Sequence, residues 1–116
     1  MNENFPLVYT VVLSWNLRED TLECLDSLAQ ADYPNMRILL VDNASLDGTP
    51  EAVAERHPDV ELVVNKINLG YAKGSNLGIR RALAEGADYV FLLNNDTIVD
   101  PAAISEMVAV MAPEVG

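Results

Sequence analysis

The chain has 116 residues, half of them hydrophobic, which is the length of one domain with enough apolar side chains for a real core. Its charged content of 22% is ordinary for a folded protein and argues against disorder. Eighteen acidic residues against seven basic ones give a net charge of -11, which disfavours nucleic acid and anionic membrane surfaces as partners because both reward clustered Lys and Arg.

Strand-like and helix-like patterns alternate along the sequence. Apolar, mostly aliphatic runs bounded by turn residues predict four strands, at Leu7–Trp15, Met36–Asp42, Val60–Asn65 and Tyr89–Asn94. Apolar residues at helical spacing predict four helices, at Arg18–Ala31, Thr49–His57, Lys73–Glu85 and Pro101–Met111. This alternation predicts an α/β fold, an open parallel sheet with helices on both faces. We expect strand one at the centre and the strand order 3-2-1-4.

Two proline signatures and one glycine mark the expected helix ends. Thr49-Pro50 and Asp100-Pro101 each read as an N-cap followed by proline at the first helical position. Gly86 is placed to end the third helix.

Three side chains of chemically versatile types are expected to be structural. Cys24 lies at core spacing with two leucines, and as the only cysteine it excludes an intrachain disulfide. His57 precedes a proline at a helix end, and Trp15 is expected to pack rather than to stack on a ligand.

Two buried strands end in acids. Asp42 ends strand two and Asp96 follows strand four, with Asn43 and Asn94-Asn95 beside them. Because ligands of open parallel sheets bind beyond the carboxyl ends of the strands, these acids predict a polar-ligand site there. Asp42 alternatively holds its own loop as an Asx-turn. One carboxylate is a weak site for Mg2+ or Mn2+, so a metal shared with a diphosphate is the more credible arrangement.

Three glycines, Gly70, Gly74 and Gly78, follow strand three at intervals of four. They match neither the dinucleotide fingerprint nor a P-loop. Gly74 and Gly78 would share one helix face, which indicates close approach either of a ligand or of the sheet. Lys73 at the start of this helix opposes the helix dipole, and a nearby anion would explain it.

Together these blocks resemble the N-terminal half of an inverting family 2 glycosyltransferase of the GT-A type, in particular its rhamnosyltransferase-like branch. The resemblance rests on VVLSWN, VDNASLDGT, NLGYAKGSNLG and FLLNNDTIVDP, in that order. It implies a UDP-, dTDP- or GDP-linked sugar as donor, a Mg2+ or Mn2+ ion held by a DxD motif, and a role in cell wall or polysaccharide biosynthesis. Asp96 matches the second acid of that motif, whereas Asn94 replaces the first.

The resemblance also assigns expected contacts. Asp42 would contact the base, the Ser14–Asn16 segment would flank it, and Lys73 and Asn76 would lie near the ribose or phosphates. The candidate donor-binding residues are thus Ser14, Asn16, Asp42, Asn43, Ser45, Lys73, Asn76 and Asn95, and the candidate metal ligands are Asp96 and Asn94. The family's general base comes from the second half of the domain, so residues 1–116 are expected to be a donor-binding half that is inactive alone.

Two other functions remain as alternatives. A receiver-type regulatory domain would need paired acids after strand one and a phospho-accepting Asp after strand three, but Ser14–Asn16 and Asn65 hold those places. A non-catalytic nucleotide-binding module is the second alternative, and only a longer sequence would separate it from a transferase.

Three expectations concern the setting of the chain. Residues 112–116 read like the lead-in to another strand, as if a larger domain had been cut there. Strand four would then be an open, apolar edge, which predicts a homodimer or higher self-association. The location is expected to be cytoplasmic, at the inner face of the membrane in a longer protein, without membrane contact from this segment.

Overall fold

The computed structural model describes residues 5–111, which form a single sheet with flanking helices. Its elements follow the order β1 (Val8–Ser14), α1 (Arg18–Ala29), β2 (Met36–Asp42), α2 (Thr49–Arg56), β3 (Glu61–Val64), α3 (Gly70–Ala84), β4 (Tyr89–Asn94) and α4 (Ala103–Met111). The predicted alternation of strands and helices is confirmed. The predicted lead-in to another strand, at residues 112–116, lies outside the described residues.

All described strand pairs are parallel, and the sheet order is β3-β2-β1-β4, as predicted. In register, Ser14 at the end of β1 lies beside Asp42 at the end of β2, and Leu13 lies beside Asn94 at the end of β4. The central strand therefore brings the polar ends of both neighbours to one edge of the sheet.

Alternate residues of each strand point to opposite faces of the sheet, and both faces carry apolar side chains. Helices cover both faces. On one face, Val12, Leu40 and Phe91 pack with buried residues of α1, α2 and α4. On the other face, α3 packs over Val11 and Val41. No described helix combines the length and the apolar composition that crossing a bilayer requires.

Helix α4 begins at Ala103 rather than at Pro101, and the starts of two other helices also differ from the sequence prediction. Gly48, with φ of +80°, is the N-cap of α2, so Thr49 lies inside the helix rather than capping it, and its hydroxyl donates to Asp47. Helix α3 begins at Gly70 rather than at Lys73, and the Asn68 side-chain oxygen accepts a hydrogen bond of 2.8 Å from the Gly70 N–H. Glycine with positive φ is typical of loops, so the sequence pattern did not indicate Gly48 as the N-cap of α2 or Gly70 as the first residue of α3.

Helix ends follow local hydrogen bonding. Helix α1 ends at Ala29, two residues before the predicted end, because Gln30 and Ala31 bond to carbonyls three residues back, in a tighter turn. Gly86, with φ of +92°, directly follows the C-cap residue of α3, as predicted. The Asp100 carboxylate accepts a hydrogen bond from the Ala102 N–H, and the Asp100 backbone carbonyl accepts one from the Ala103 N–H. Asp100 therefore satisfies backbone amides at the start of α4.

Candidate functional site

A cleft of about 330 Å3 opens at the carboxyl ends of β1 and β4, facing the N-terminal turn of α3. Amide side chains, one carboxylate and two aromatic rings line it. The lining residues are Leu13, Ser14, Trp15, Asn43, Asn68, Gly70, Tyr71, Asn94, Asn95 and Asp96. Five of the ten predicted site residues thus share one cleft, namely Ser14, Asn43, Asn94, Asn95 and Asp96.

A larger cleft of about 650 Å3 lies elsewhere, where β2 and β3 begin, and contains Arg37, His57 and Glu61. Its arginine and histidine side chains are engaged within the chain. Arg37 lies 3.9 Å from Glu61, and His57 Nε2 lies 2.8 Å from Asp26. None of the predicted site residues lines it, so size alone does not mark the functional cleft.

Asp42 is fully buried and lies beneath the cleft rather than in its wall. Its Oδ1 accepts hydrogen bonds from the hydroxyls of Ser14 at 2.8 Å and Ser45 at 2.6 Å, and its Oδ2 accepts from the Ser45 N–H at 2.9 Å. The Asx-turn alternative from the sequence therefore describes the carboxyl group in this structure. Contact of Asp42 with a base stays a prediction, and it would require this buried carboxyl group to become accessible.

Asn43 ties three segments together beside the cleft. Its side-chain nitrogen donates to the Gly70 carbonyl at 3.2 Å, and its side-chain oxygen accepts from Asn65 at 2.9 Å. Asn43 is 2% exposed, so it fixes the start of α3 against β2 and β3 and presents little surface to a ligand.

Asn16 lies outside the cleft and shapes the loop after β1. Its backbone and that of Leu17 are left-handed, with φ of +59° and +58°. The Asn16 N–H donates to Ser45 Oγ at 2.7 Å, and its side-chain oxygen accepts from Leu46 at 2.8 Å. Asn16 and Ser45 thus join the loops after β1 and β2. In this structure both predicted donor-binding residues make contacts that hold the loops together.

The segment after β4 is a tight turn in which the Thr97 N–H donates to the Asn94 carbonyl at 3.1 Å. Asn95 is partly buried, and its side-chain nitrogen donates to the Asn16 carbonyl at 3.2 Å and to Thr21 Oγ1 at 3.0 Å. Asn94 and Asp96 are exposed to the cleft. The turn therefore presents one carboxylate and leaves the amide of Asn95 facing the protein.

Cys24 lies below this turn and is fully buried, as the packing interpretation predicted. Its thiol lies 3.9 Å from the Asn94 carbonyl. Burial raises the pKa of the Cys24 thiol to about 11; a backbone hydrogen bond from Thr97 lowers it, and the charge of Asp96 raises it further. Cys24 therefore stays a neutral thiol at physiological pH and is not a nucleophile.

The donor atoms of the turn suit a hard, oxygen-seeking cation only if a ligand contributes oxygens as well. Among residues 5–111, no group of three or more His, Cys, Asp and Glu side chains is arranged to hold a metal. Asp96 and the side-chain oxygen of Asn94 would supply protein ligands, and diphosphate oxygens would complete the shell. The residues present thus fit a shared metal rather than a protein-only cage.

Lys73 and Asn76 lie outside the cleft. Both are exposed, whereas Gly74, Ser75 and Gly78 form the buried face of α3. The close approach predicted for the glycines is an approach to the sheet: a Cβ on Gly78 would lie 2.5 Å from Val11 Cγ1. Proximity of Lys73 and Asn76 to ribose or phosphate stays a prediction that the cleft itself does not support.

Five cleft residues were not predicted as site residues from the sequence, namely Leu13, Trp15, Asn68, Gly70 and Tyr71. Trp15 was expected to pack, but it lies one residue beyond the end of β1 and is 55% exposed, so that prediction is wrong. Tyr71 is 60% exposed in the first turn of α3. Their positions in the sequence could have indicated a site role, because Trp15 directly follows β1 and Tyr71 lies just after the loop that follows β3.

The family model and the similar proteins both indicate a glycosyltransferase family. Residues 9–114 match the model of glycosyl transferase family 2. An uncharacterized glycosyltransferase of Haemophilus influenzae is 27% identical over 109 residues, or 91% of this chain and 33% of that protein. The N-acetylglucosaminyl-diphospho-decaprenol L-rhamnosyltransferase of Mycobacterium tuberculosis is 36% identical over 92 residues, or 72% of this chain and 30% of that protein.

Solved structures share the fold. A mannosyltransferase from Pyrobaculum calidifontis, in complex with GDP-Man and Mn2+, has a TM-score of 0.77 and 32% identity, covering 95% of this chain and 33% of that chain. S. aureus TarS 1–349 in complex with UDP has a TM-score of 0.80 and 21% identity, covering 89% and 31%, which shows the fold alone. The chain spans about a third of the length of the two curated relatives described above.

Proposed function

The chain belongs to glycosyl transferase family 2, and we propose that it forms the donor-binding part of an enzyme that transfers a sugar, with inversion, from a nucleoside diphosphate to a hydroxyl acceptor. The observation that carries this proposal is the cleft at the carboxyl edge, where one exposed carboxylate lies among amides and aromatic rings. No residue of this chain is assigned as the general base, which we place in another part of a longer protein.

Electrostatics links Asp96 to the proposed donor. A diphosphate next to an uncompensated carboxylate is repelled by about 4 kcal/mol per pair of unit charges roughly 4 Å apart, at an effective dielectric constant near 20. The net charge of -11 leaves little cationic help from the chain as a whole. A divalent cation, Mg2+ or Mn2+, when bound neutralises the developing charge of the leaving diphosphate. Asp96 and Asn94 are the residues that would hold it.

The aromatic rings suit the rest of the donor. Trp15 and Tyr71 are both exposed and both line the cleft, on the β1 and α3 sides. Exposed aromatic faces bind nucleobases and the C–H faces of sugars, and neighbouring amides bond to hydroxyl groups. We place the nucleoside against Trp15 and the Ser14 end of β1, and the diphosphate against the turn that carries Asp96. A reducing, cytoplasmic setting accords with the free thiol of Cys24.

The test is calorimetric titration of the chain with UDP, dTDP and GDP, each with and without Mn2+ or Mg2+. We expect at least one nucleotide to bind and its affinity to depend on the metal. Affinity is expected to be weak, because the chain supplies one side of the site. Asp96→Ala should bind equally with and without metal. If the parent binds nucleotide with the same affinity with and without metal, the proposed role of Asp96 is refuted. If the parent binds none of the nucleotides, the proposed function is refuted.

A further inference from the structure

The turn that presents Asp96 is fastened to the protein by the side-chain amide of Asn95, a residue that also lines the cleft. Both hydrogens of the Asn95 amide are used, one toward the Asn16 carbonyl at 3.2 Å and one toward Thr21 Oγ1 at 3.0 Å. Asn95 directly precedes Asp96 in the chain. The orientation of the exposed carboxylate therefore depends on bonds made by its neighbour.

Thr21 is the inner anchor of this turn. It lies in α1, is fully buried and does not line the cleft. Its hydroxyl donates to the Leu17 carbonyl at 3.0 Å and accepts from Asn95. Because a hydroxyl has a single hydrogen, donation to Leu17 leaves its lone pairs for Asn95, and the two bonds reinforce each other.

The same bonds hold a strained loop. Asn16 and Leu17 are consecutive non-glycine residues in the left-handed region, with φ of +59° and +58°. Such backbone persists only where surrounding contacts fix it. Asn95 bonds to the Asn16 carbonyl, Thr21 bonds to the Leu17 carbonyl, and the Asn16 N–H bonds to Ser45. Thr21 and Asn95 thus connect the loop after β1 with the turn after β4.

We propose that Thr21 and Asn95 are positioning residues that set the Asp96 carboxylate for the metal-bearing diphosphate. The inference rests on the proposed function, since it assigns a role toward the same ligand. Partners that orient metal ligands are typically needed for full metal affinity, and their loss costs about 10- to 100-fold. The competing explanation is that Thr21 only stabilises α1.

Substitutions at Thr21 separate the two explanations. Thr21→Val keeps the shape and removes the hydroxyl, whereas Thr21→Ser keeps the hydroxyl. Thr49→Val is the matched control, because Thr49 is equally buried and its hydroxyl bonds to Asp47, away from the turn. Asn95→Ala removes the shared bond to Thr21 from the other partner, together with the bond to the Asn16 carbonyl, and serves if Thr21→Val fails to fold.

The first measurement needs no ligand. Amide hydrogen exchange of Thr97, whose N–H closes the turn, is followed by NMR in each variant. We expect faster exchange in Thr21→Val and Asn95→Ala, and parental exchange in Thr21→Ser and Thr49→Val after correction for global stability. Parental exchange in Thr21→Val and Asn95→Ala would overturn the inference, whatever the chain binds.

The second measurement is titration with GDP in the presence and absence of Mn2+. We expect the gain in affinity from Mn2+ to fall about tenfold in Thr21→Val and Asn95→Ala and to persist in Thr21→Ser and Thr49→Val. An unchanged gain in Thr21→Val and Asn95→Ala would also overturn the inference. If the parent binds no nucleotide, the proposed function fails, and amide exchange alone decides whether the two residues position the turn.

Discussion

Two aspartates at the ends of the strands on either side of β1 have opposite environments. Asp42 is fully buried and satisfied by Ser14 and Ser45, whereas Asp96 is exposed in a turn. A buried acceptor that serves several donors stabilises the fold, while an exposed carboxylate contributes little to stability and is free for a ligand. The two acids therefore have different roles although their sequence contexts look alike.

Alanine substitutions should separate these roles. Asp42→Ala leaves the Ser14 and Ser45 hydroxyls without their acceptor and should lower the free energy of unfolding by about 1–3 kcal/mol. Asp96→Ala should change it by less than about 0.5 kcal/mol. Urea denaturation followed by circular dichroism measures both. Equal effects of the two substitutions would contradict the assignment of Asp42 to the loop.

Base discrimination is a further expectation for Asp42. If Ser14 and the loop after β2 flank the base, Asp42→Ala should weaken the preference among UDP, dTDP and GDP, while metal dependence is retained. Asp96→Ala should show the reverse pattern. Titrations of both variants with the three nucleotides test this, and parental selectivity in Asp42→Ala would place the base elsewhere.

The buried thiol below the turn predicts a pH dependence of stability. Burial raises the pKa of Cys24 from an ordinary 9.0 to about 11, so the folded state keeps a proton that the unfolded state loses. The stabilisation is complete below about pH 9 and is lost as pH rises toward 11, at up to about 1.4 kcal/mol per pH unit.

Cys24→Ala provides the comparison for this pH dependence. The variant should have a lower free energy of unfolding at neutral pH and a shallower decline between pH 9 and 11 than the parent. Tyrosine titration affects both proteins equally and cancels in the difference. Parallel pH profiles for the two proteins would show that the thiol does not carry the effect.

At the scale of elements, the position of α3 depends on its glycines. A Cβ on Gly74 would lie 2.8 Å from Leu13 Cδ1, and one on Gly78 would lie 2.5 Å from Val11 Cγ1 and 3.1 Å from Val41 Cγ2. The helix therefore lies close against β1 and β2. This seating also brings Gly70 and Tyr71, in its first turn, to the cleft.

Gly78→Ala tests this seating. Alanine favours helix by about 1 kcal/mol relative to glycine, but overpacking against two central strands typically costs about 1–3 kcal/mol. We expect net destabilisation, because the clash with Val11 outweighs the gain in helix propensity. The double variant Gly78→Ala with Val11→Ala should be less destabilised than the sum of the single effects. A more stable Gly78→Ala variant would show that the helix shifts freely.

At the scale of the whole molecule, the described sheet has an open edge at β4. Strand β4 pairs with β1 on one side and has no described strand on the other. Leu92 on this strand is 39% exposed, and Leu83 on α3 is 57% exposed. An apolar strand edge invites pairing with another chain, although the net charge of -11 opposes close approach of two copies.

We therefore predict that this chain self-associates as a twofold dimer through β4, more strongly at high salt because screening weakens the charge repulsion. Sedimentation velocity over a range of protein concentrations, at low and high salt, measures it. Leu92→Lys places a charge on the edge strand and should favour the monomer. A monomer at every concentration, with slowly exchanging β4 amides, would show that the edge is protected.

Much of the fold follows from the sequence alone. Apolar runs alternating with helical patterns imply parallel strands with right-handed crossovers, and this places the ends of β1, β2 and β4 at one edge. The predicted strand ends agree with the structure to within one residue, because strand ends coincide with polar or turn residues. Because the carboxyl ends of parallel strands meet at one edge of the sheet, the sequence also predicts that Ser14, Asn94, Asn95 and Asp96 lie at the same edge.

The tertiary structure alone decided which side chains face the cleft. Burial of Asp42 depends on Ser14, 28 residues away, and orientation of Asn95 depends on Asn16, 79 residues away. The exposed face of α3, with Lys73, is fixed by glycines packed on β1 and β2. Local patterns specify where a strand or helix ends, but exposure is set by which distant residues fill the neighbouring space.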